Sequence, residues 1–195
     1  DGSGVTKIIS NNIQGSSMQA PVIFPDGQKM AYFIEVDSMM DRHGEIFTAN
    51  IDGSNKKSLI SYPADGNCYH PCVNPVNNSI VYTNLVNNKM ELYSMNMDGT
   101  NKQQLTSTGP TVKLHPQFSP DGTKIVFDAI TGIGAEIFIM DANGSNMKQL
   151  TTYSNNGTKN TISWGATFSK DGNTIYFSSD EFNGRTGQLY KMNAD

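Results

Sequence analysis

The chain has 195 residues, of which 36% are hydrophobic and 16% are charged, and its formal net charge is -4. This length predicts one large domain or two small ones, and the apolar content is too high for a disordered chain. The negative charge argues against a nucleic-acid partner, and no apolar run approaches the roughly 20 residues of a membrane-spanning helix. We therefore expect neither a nucleic-acid partner nor a membrane span.

A short segment, Val5–Ser10, precedes four copies of one sequence pattern. Each copy contains apolar runs of four to seven residues, separated by Asp-Gly, Asn-Gly or similar turn residues. Such runs are too short for helices and predict four β-strands per copy. The copies align on Pro21, Pro71, Pro116 and Ala166, and this spacing of about 45 to 50 residues is the period of a β-propeller blade.

The predicted fold is therefore all-β: a β-propeller of four repeats, each with four antiparallel strands, in one domain over residues 1–195. The predicted blades cover approximately residues 11–61, 62–107, 108–153 and 154–195, the last completed by residues 1–10. The last copy contains no fourth strand, whereas the N-terminal segment has the sequence of one. We expect these two parts to pair and close the ring, because closure removes unpaired strand edges. The residues of this ring-closure strand are Val5, Lys7, Ile8 and Ile9.

This closure can occur within one chain or between chains. Pairing within one chain gives a closed four-bladed ring. Pairing between chains gives a double ring of eight blades or an open head-to-tail assembly, since a heterologous contact that does not close produces a filament. The repeats can also belong to a larger ring, so the sequence leaves the blade count open.

The third copy carries the clearest pattern: Phe118–Gly122 reads Phe-Ser-Pro-Asp-Gly, Glu136–Phe138 reads Glu-Ile-Phe, and an Asn-Gly-Ser-Asn turn precedes Leu150-Thr151. These residues resemble the TolB-type, WD40-like β-propeller repeat, and the resemblance covers nearly the whole chain. It implies a propeller fold. The repeat occurs in periplasmic binding proteins, in peptidase propellers and in some polysaccharide lyases, so the resemblance does not imply one function. A complete TolB propeller usually has six blades and a separate N-terminal domain, whereas four repeats are recognised here.

The first strand of each blade lines the central channel of a propeller. Alignment of the copies identifies one equivalent position in each first strand, occupied by Ala20, His70, His115 and Gly165. Converging polar groups at a channel mouth are a typical ligand site. We predict His70 and His115, with Tyr69 and Trp164 one residue upstream, as candidates for ligand binding. The favoured alternative is that each imidazole only bonds to a loop carbonyl at the start of a strand.

The chain contains no Gly-x-Ser-x-Gly elbow, no phosphate-binding loop and no His-Glu-x-x-His pair. We predict no catalytic residue, no metal site and no cofactor, and therefore a protein that is not an enzyme. The expected function is a non-catalytic binding or assembly module for a protein or a glycan. Two alternatives remain: a homo-oligomeric filament subunit that assembles by strand complementation, and a metal-dependent, lyase-like carbohydrate enzyme that uses His70 and His115.

The low charge and the high content of Asn and Thr favour a periplasmic or secreted protein. The first residues carry no signal-peptide pattern, so we expect any such peptide to be absent or removed. Three sequons permit glycosylation, at Asn77, Asn143 and Asn156. Cys68 and Cys72 are predicted to be free, partly buried thiols, since an extended chain separates their Cα atoms by roughly 13 Å, beyond the roughly 7 Å limit of a disulfide.

Overall fold

The computed structural model describes residues 3–38, 41–132, 134–152, 162–180 and 187–195. In these ranges the regular structure is β-strand, and no helix is long and apolar enough to cross a membrane. The strands are β1 (Ser16–Ile23), β2 (Lys29–Ser38), β3 (Asp41–Asn50), β4 (Lys57–Ile60), β5 (Asn67–Val73), β6 (Ile80–Val86), β7 (Lys89–Met95), β8 (Gln103–Gln104), β9 (Lys113–Phe118), β10 (Lys124–Thr131), β11 (Gly134–Asp141), β12 (Lys148–Gln149), β13 (Ser163–Phe168), β14 (Thr174–Ser179) and β15 (Gln188–Asn193).

The strands form four antiparallel sheets in which sequential strands are neighbours. We call the sheets blades 1 to 4: β1–β4, β5–β8, β9–β12 and β13–β15. The prediction of an all-β protein built from sequential antiparallel strands is confirmed. The sequence patterning explains this order, because the Asp or Asn of these turns accepts a hydrogen bond from a backbone N–H two residues later and so stabilises a tight turn, as at Asp52, Asp98 and Asn143.

The hydrophobic core lies between neighbouring blades. Phe33 and Ile46 of blade 1 cluster with Tyr82 of blade 2, and similar apolar clusters join blade 2 to blade 3 and blade 3 to blade 4. Alternate residues of a strand point to opposite faces of its sheet, so the central strands of blades 2 and 3 each contribute to two of these clusters. Cys68 and Cys72 are buried within them as free cysteines, which confirms the prediction of unpaired thiols.

The first strands of the four blades surround a common space. A cavity of about 310 Å³ is lined by the ends of these strands, including Val22 of β1, Val73 of β5, Phe118 of β9 and Phe168 of β13. These four first strands, which we call the inner strands, therefore converge on one axis, as expected for a propeller channel.

The ring closure predicted within one chain is not present in the structure. Residues 3–10 form no strand, and blade 4 has three strands among the described residues. The N-terminal segment instead lies on blade 1, where Ile9 packs against a buried cluster that includes Tyr32 and Phe47. Partial burial of Ile9 against this apolar cluster explains its position, since removing apolar surface from water is favourable by roughly 25 cal/mol per Å². Val5 remains 92% exposed.

Candidate functional site

The inner strand of each blade contains a bulge at the position identified by the sequence alignment. The strand pairing shifts register there in all four blades, and the residue at the bulge has a positive φ angle. These φ values are 47° for Ala20, 51° for His70, 50° for His115 and 66° for Gly165. A non-glycine residue in this conformation costs roughly 1–2 kcal/mol. The bulge turns these side chains away from the regular alternation of the strand, and bulges of this kind are common beside functional sites.

The bulges bring His70 and His115 together. The centroids of the two imidazole rings are 4.1 Å apart, with an angle of 48° between their planes. The structure therefore places the two predicted histidines of adjacent blades side by side.

Asp128 of β10 holds His115 in place. The Nδ1 atom of His115 lies 3.1 Å from both carboxylate oxygens of Asp128, which raises the pKa of His115. The backbone N–H of Gly165 donates a hydrogen bond to the same carboxylate, at 3.2 Å. Asp128 therefore links the inner strand of blade 3 to that of blade 4 and favours the cationic form of His115.

His70 has a different environment. Its ring packs edge-on against Phe33, with 5.5 Å between centroids, and its Nδ1 atom is buried with no hydrogen-bond partner among the described residues. Burial, together with the neighbouring His115, lowers the pKa of His70 to about 4. At neutral pH the site therefore combines one neutral imidazole with one that is paired to a carboxylate.

Trp164 lies beside His115 at the edge of a second cavity, of about 390 Å³. The indole is 38% exposed, and Gln117 contributes an amide to the same cavity. Tyr69 does not share this position: its ring packs edge-on against Phe33 at 6.1 Å, in the cluster between blades 1 and 2. Three of the four predicted residues thus meet near the channel axis, whereas Tyr69 belongs mainly to the core.

Sequence reasoning missed Asp128 and Gln117. Asp128 does have a signal in the sequence, because it interrupts the apolar run of its strand, where the aligned residue of blade 1 is Phe33. A carboxylate at a buried strand position requires a polar partner, and His115 provides it. Gln117 carries no comparable signal, since an amide two residues after the bulge is compatible with any solvated strand.

The remaining candidates are the three predicted glycosylation sites. Asn77 and Asn143 are exposed, and Asn156 lies outside the described residues. Within the described part of the chain, no group of three or more His, Cys, Asp or Glu side chains is arranged to hold a metal ion.

Comparison with protein-family models and with curated protein sequences gave no match. Solved structures do match. TolB from Acinetobacter baumannii superposes with a TM-score of 0.70 at 19% identity, over 92% of this chain and 41% of that one. A putative TolB from Agrobacterium tumefaciens superposes with a TM-score of 0.68 at 16% identity, over 91% of this chain and 77% of that one. An oligogalacturonate lyase in complex with manganese superposes with a TM-score of 0.59 at 12% identity, over 87% of this chain and 52% of that one.

These likenesses define the class of the fold as a TolB-like β-propeller. The chain spans about two fifths of the length of the Acinetobacter TolB chain. At these identities the similarity concerns the fold, and the function has to be argued from the site.

Proposed function

We propose that this chain is a non-catalytic, extracytoplasmic binding module that takes a protein segment or a glycan at the channel mouth. The observation that carries the proposal is the half-exposed indole of Trp164, which shares a cavity with His115 and Gln117. An indole face provides apolar contact area at a low cost in conformational entropy, and the neighbouring polar groups orient a ligand.

The chemistry of the cavity indicates what kind of ligand fits. Trp164 can stack on a sugar ring or on an apolar or aromatic side chain. The Gln117 amide can donate to and accept from hydroxyl or peptide groups, and the His115 ring can donate to an acceptor on the ligand. We expect ligands that combine one flat or apolar face with hydrogen-bonding groups along its edge.

The location outside the cytoplasm is supported by three features. The composition is low in charge, the chain contains three sequons, and its fold resembles that of TolB proteins. We infer a periplasmic or secreted protein, and fractionation of cells that express the chain from its own gene tests this directly.

The binding proposal has a convenient probe, because Trp164 is the only tryptophan of the chain. We would select ligands from a displayed library of random peptides and from a panel of soluble oligosaccharides, and then titrate each while recording indole emission. A ligand at the channel mouth should change the emission saturably, and Trp164→Ala should weaken its binding at least tenfold.

The matched control is Tyr62→Ala. Tyr62 is an aromatic residue of nearly equal exposure, 37%, and it lines neither cavity, so this variant should bind as the native chain does. Ligands that bind without changing the indole emission, and equally well to Trp164→Ala, would contradict a site at the channel mouth.

A lyase-like enzyme is the second candidate, favoured by the contact between His70 and His115 and by the similarity to a manganese-containing lyase. It predicts that Mn²⁺ binds near Trp164 and quenches its emission, that His70→Ala abolishes this effect, and that oligogalacturonate is cleaved in the presence of the metal. The binding proposal predicts that oligogalacturonate remains intact under these conditions.

A further inference from the structure

The cavity beside Trp164 has one ionisable side chain on the part of its wall that the described residues form. It is lined by His115 and Gln117 of β9 and by residues 164–167 of β13. The side chain of His115 is 42% exposed, whereas that of its partner Asp128 is 5% exposed and lies outside the lining. The charge that a ligand meets on this wall is therefore the charge of His115.

The two ring nitrogens of His115 have different environments. Nδ1 lies 3.1 Å from both oxygens of the Asp128 carboxylate, whereas Nε2 has no hydrogen bond to any described residue. A carboxylate beside Nδ1 keeps a proton on that nitrogen, so Nε2 is an acceptor in the neutral ring and a donor in the cation. Asp128 thus leaves Nε2 as the ring atom that is available to a ligand.

The groups around His115 favour the cationic ring. Asp128 of β10 accepts a hydrogen bond from the ring, and this raises the pKa of His115. His70 of β5, whose ring centroid is 4.1 Å away, has a pKa of about 4 and stays neutral near pH 7. On β9 itself the Lys113 ammonium is paired with Glu91, and β13 has no ionisable residue. These surroundings leave a positive charge on His115 below its raised pKa.

A carboxylate satisfies this cation better than a neutral group does. A ligand that fills the cavity removes water from Nε2, and a charged donor left without an acceptor is destabilising. A carboxylate oxygen forms a charge-assisted hydrogen bond, which is roughly twice as strong as one between neutral groups. The site should therefore prefer ligands that place a carboxylate at Nε2.

We propose that this cavity binds a protein segment that carries a carboxylate beside an aromatic side chain, and that Asp128 is the positioning residue that directs Nε2 of His115 toward the carboxylate. This inference rests on the binding function proposed above and names its ligand. The aromatic side chain of the segment stacks on the indole of Trp164, which lines the same cavity as His115.

Gln117 favours a peptide over a sugar as the ligand. Its side-chain oxygen accepts a hydrogen bond from the thiol of Cys72, at 3.6 Å, so its NH₂ group is left to donate to a carbonyl of the ligand. The cavity thus offers a cation, an amide donor and an aromatic face, which match the carboxylate, the carbonyl and the aromatic side chain of a dipeptide. An acidic sugar has hydroxyl groups around its ring, and each needs a partner when it is buried.

The test uses two pairs of short peptides that differ within each pair only in charge. In the first pair, acetyl-Ala-Phe ends in a free carboxylate or in an amide. In the second, acetyl-Glu-Phe-amide is compared with acetyl-Gln-Phe-amide, so that the carboxylate comes from a side chain. Each peptide is titrated while the emission of Trp164 is recorded. All buffers contain a chelator, because a metal ion would compete for the imidazoles.

The acidic peptide of at least one pair should bind at least tenfold more tightly than its neutral partner at pH 6. This advantage should fall below threefold at pH 9, because Nε2 then has no hydrogen to donate. An advantage in the first pair assigns a C-terminal carboxylate, and an advantage in the second assigns a side-chain carboxylate.

Two variants distinguish positioning from structural support. Asp128→Asn keeps an acceptor for the backbone N–H of Gly165 but removes the charge beside His115. The midpoint of the pH dependence should therefore move down by about one pH unit or more, while the neutral peptides bind as before. His115→Gln should abolish the advantage at every pH. His43→Gln is the matched control, since this third histidine stacks on Tyr62 in a different part of the fold and should change neither result.

Equal binding of acidic and neutral peptides at pH 6, or an advantage that persists in His115→Gln, overturns the inference and leaves the binding function in place. An Asp128→Asn variant that weakens all four peptides equally, with an unchanged midpoint, overturns the positioning role. A preference for the methyl glycoside of glucuronate over that of glucose, with no preference within either peptide pair, overturns the protein segment as the ligand.

A failure of the inference can also be told from a failure of the binding function. If none of the four peptides changes the emission of Trp164, the inference is wrong. The binding function is contradicted only if the ligands selected from the peptide library and the oligosaccharide panel also leave this emission unchanged.

Discussion

Glu91 of β7 and Lys113 of β9 form an ion pair of 2.7 Å in the interior, with side chains 5% and 0% exposed. The hydroxyl of Thr106 donates to the same carboxylate oxygen, and the Lys113 ammonium also donates to the carbonyl of Pro110. The pair joins blade 2 to blade 3 and is fully desolvated. Its polar atoms are satisfied only while both partners are present.

We predict that Glu91→Gln destabilises the fold by about 3–5 kcal/mol, because it leaves the Lys113 ammonium buried without its counter-charge. The free energy of unfolding in urea measures this effect. The control is Lys102→Met, which breaks the exposed pair with Asp65 and should cost no more than about 1 kcal/mol. Equal losses in the two variants would contradict the assignment of the Glu91 pair as the critical one.

The contact of Gly53 with Ile8 predicts a second effect. Gly53 has a φ of +87°, so Gly53→Ala introduces backbone strain and also pushes the N-terminal segment off blade 1. We expect a loss of about 2–3 kcal/mol and faster tryptic cleavage after Lys7.

Gly27→Ala separates these two causes. Gly27 has a φ of +68° but has open space where a Cβ would stand, so its substitution carries the strain alone, about 1–2 kcal/mol. The rate of cleavage after Lys7 should not change in this variant. If both variants release the segment equally, the contact between Gly53 and Ile8 does not hold it.

The low pKa of His70 predicts a loss of stability in acid. Its pKa is about 4 in the folded chain and about 6.5 in the unfolded chain, so the stability it contributes is present above pH 6.5 and is lost as pH falls toward 4. Between pH 7 and pH 5 this loss is on the order of 2 kcal/mol. Urea unfolding across this range should show a smaller decrease for His70→Gln than for the native chain.

The change of stability with pH that His115 contributes should have the opposite sign to that of His70. Asp128 raises the pKa of His115, so the stability gained from this pair is complete below pH 6.5 and is lost as pH rises through the folded pKa. His115→Gln should therefore reduce stability more at pH 6 than at pH 8. A variant that loses the same free energy of unfolding at both pH values would show that Asp128 does not favour the charged ring.

The two cysteines should be unreactive in the native chain. Burial raises the pKa of Cys72 to about 11 and raises the pKa of Cys68 further, and the thiolate is the reactive form. A chromogenic disulfide reagent should react with neither thiol at pH 8, and with both after denaturation. Fast reaction of one equivalent without denaturant would show that one of the thiols is accessible.

The sequence by itself determined the repeat, the antiparallel strands and the equivalence of four inner-strand positions. Each of these follows from local chemistry: turn residues at regular intervals, apolar runs of strand length, and a sequence pattern that recurs at the spacing of propeller blades. The alignment that paired His70 with His115 reappears in the structure as two bulges with φ angles of 51° and 50°.

Only the tertiary structure decided which contacts these residues make. Asp128 reaches His115 from a neighbouring strand, Tyr69 turns into the core, and Ile8 rests on Gly53 instead of pairing with β15. These relationships join residues that are 13 to 45 positions apart in the sequence, and no local pattern encodes them. They depend on how the blades pack, and that packing determines which imidazole is neutral and which is paired to a carboxylate.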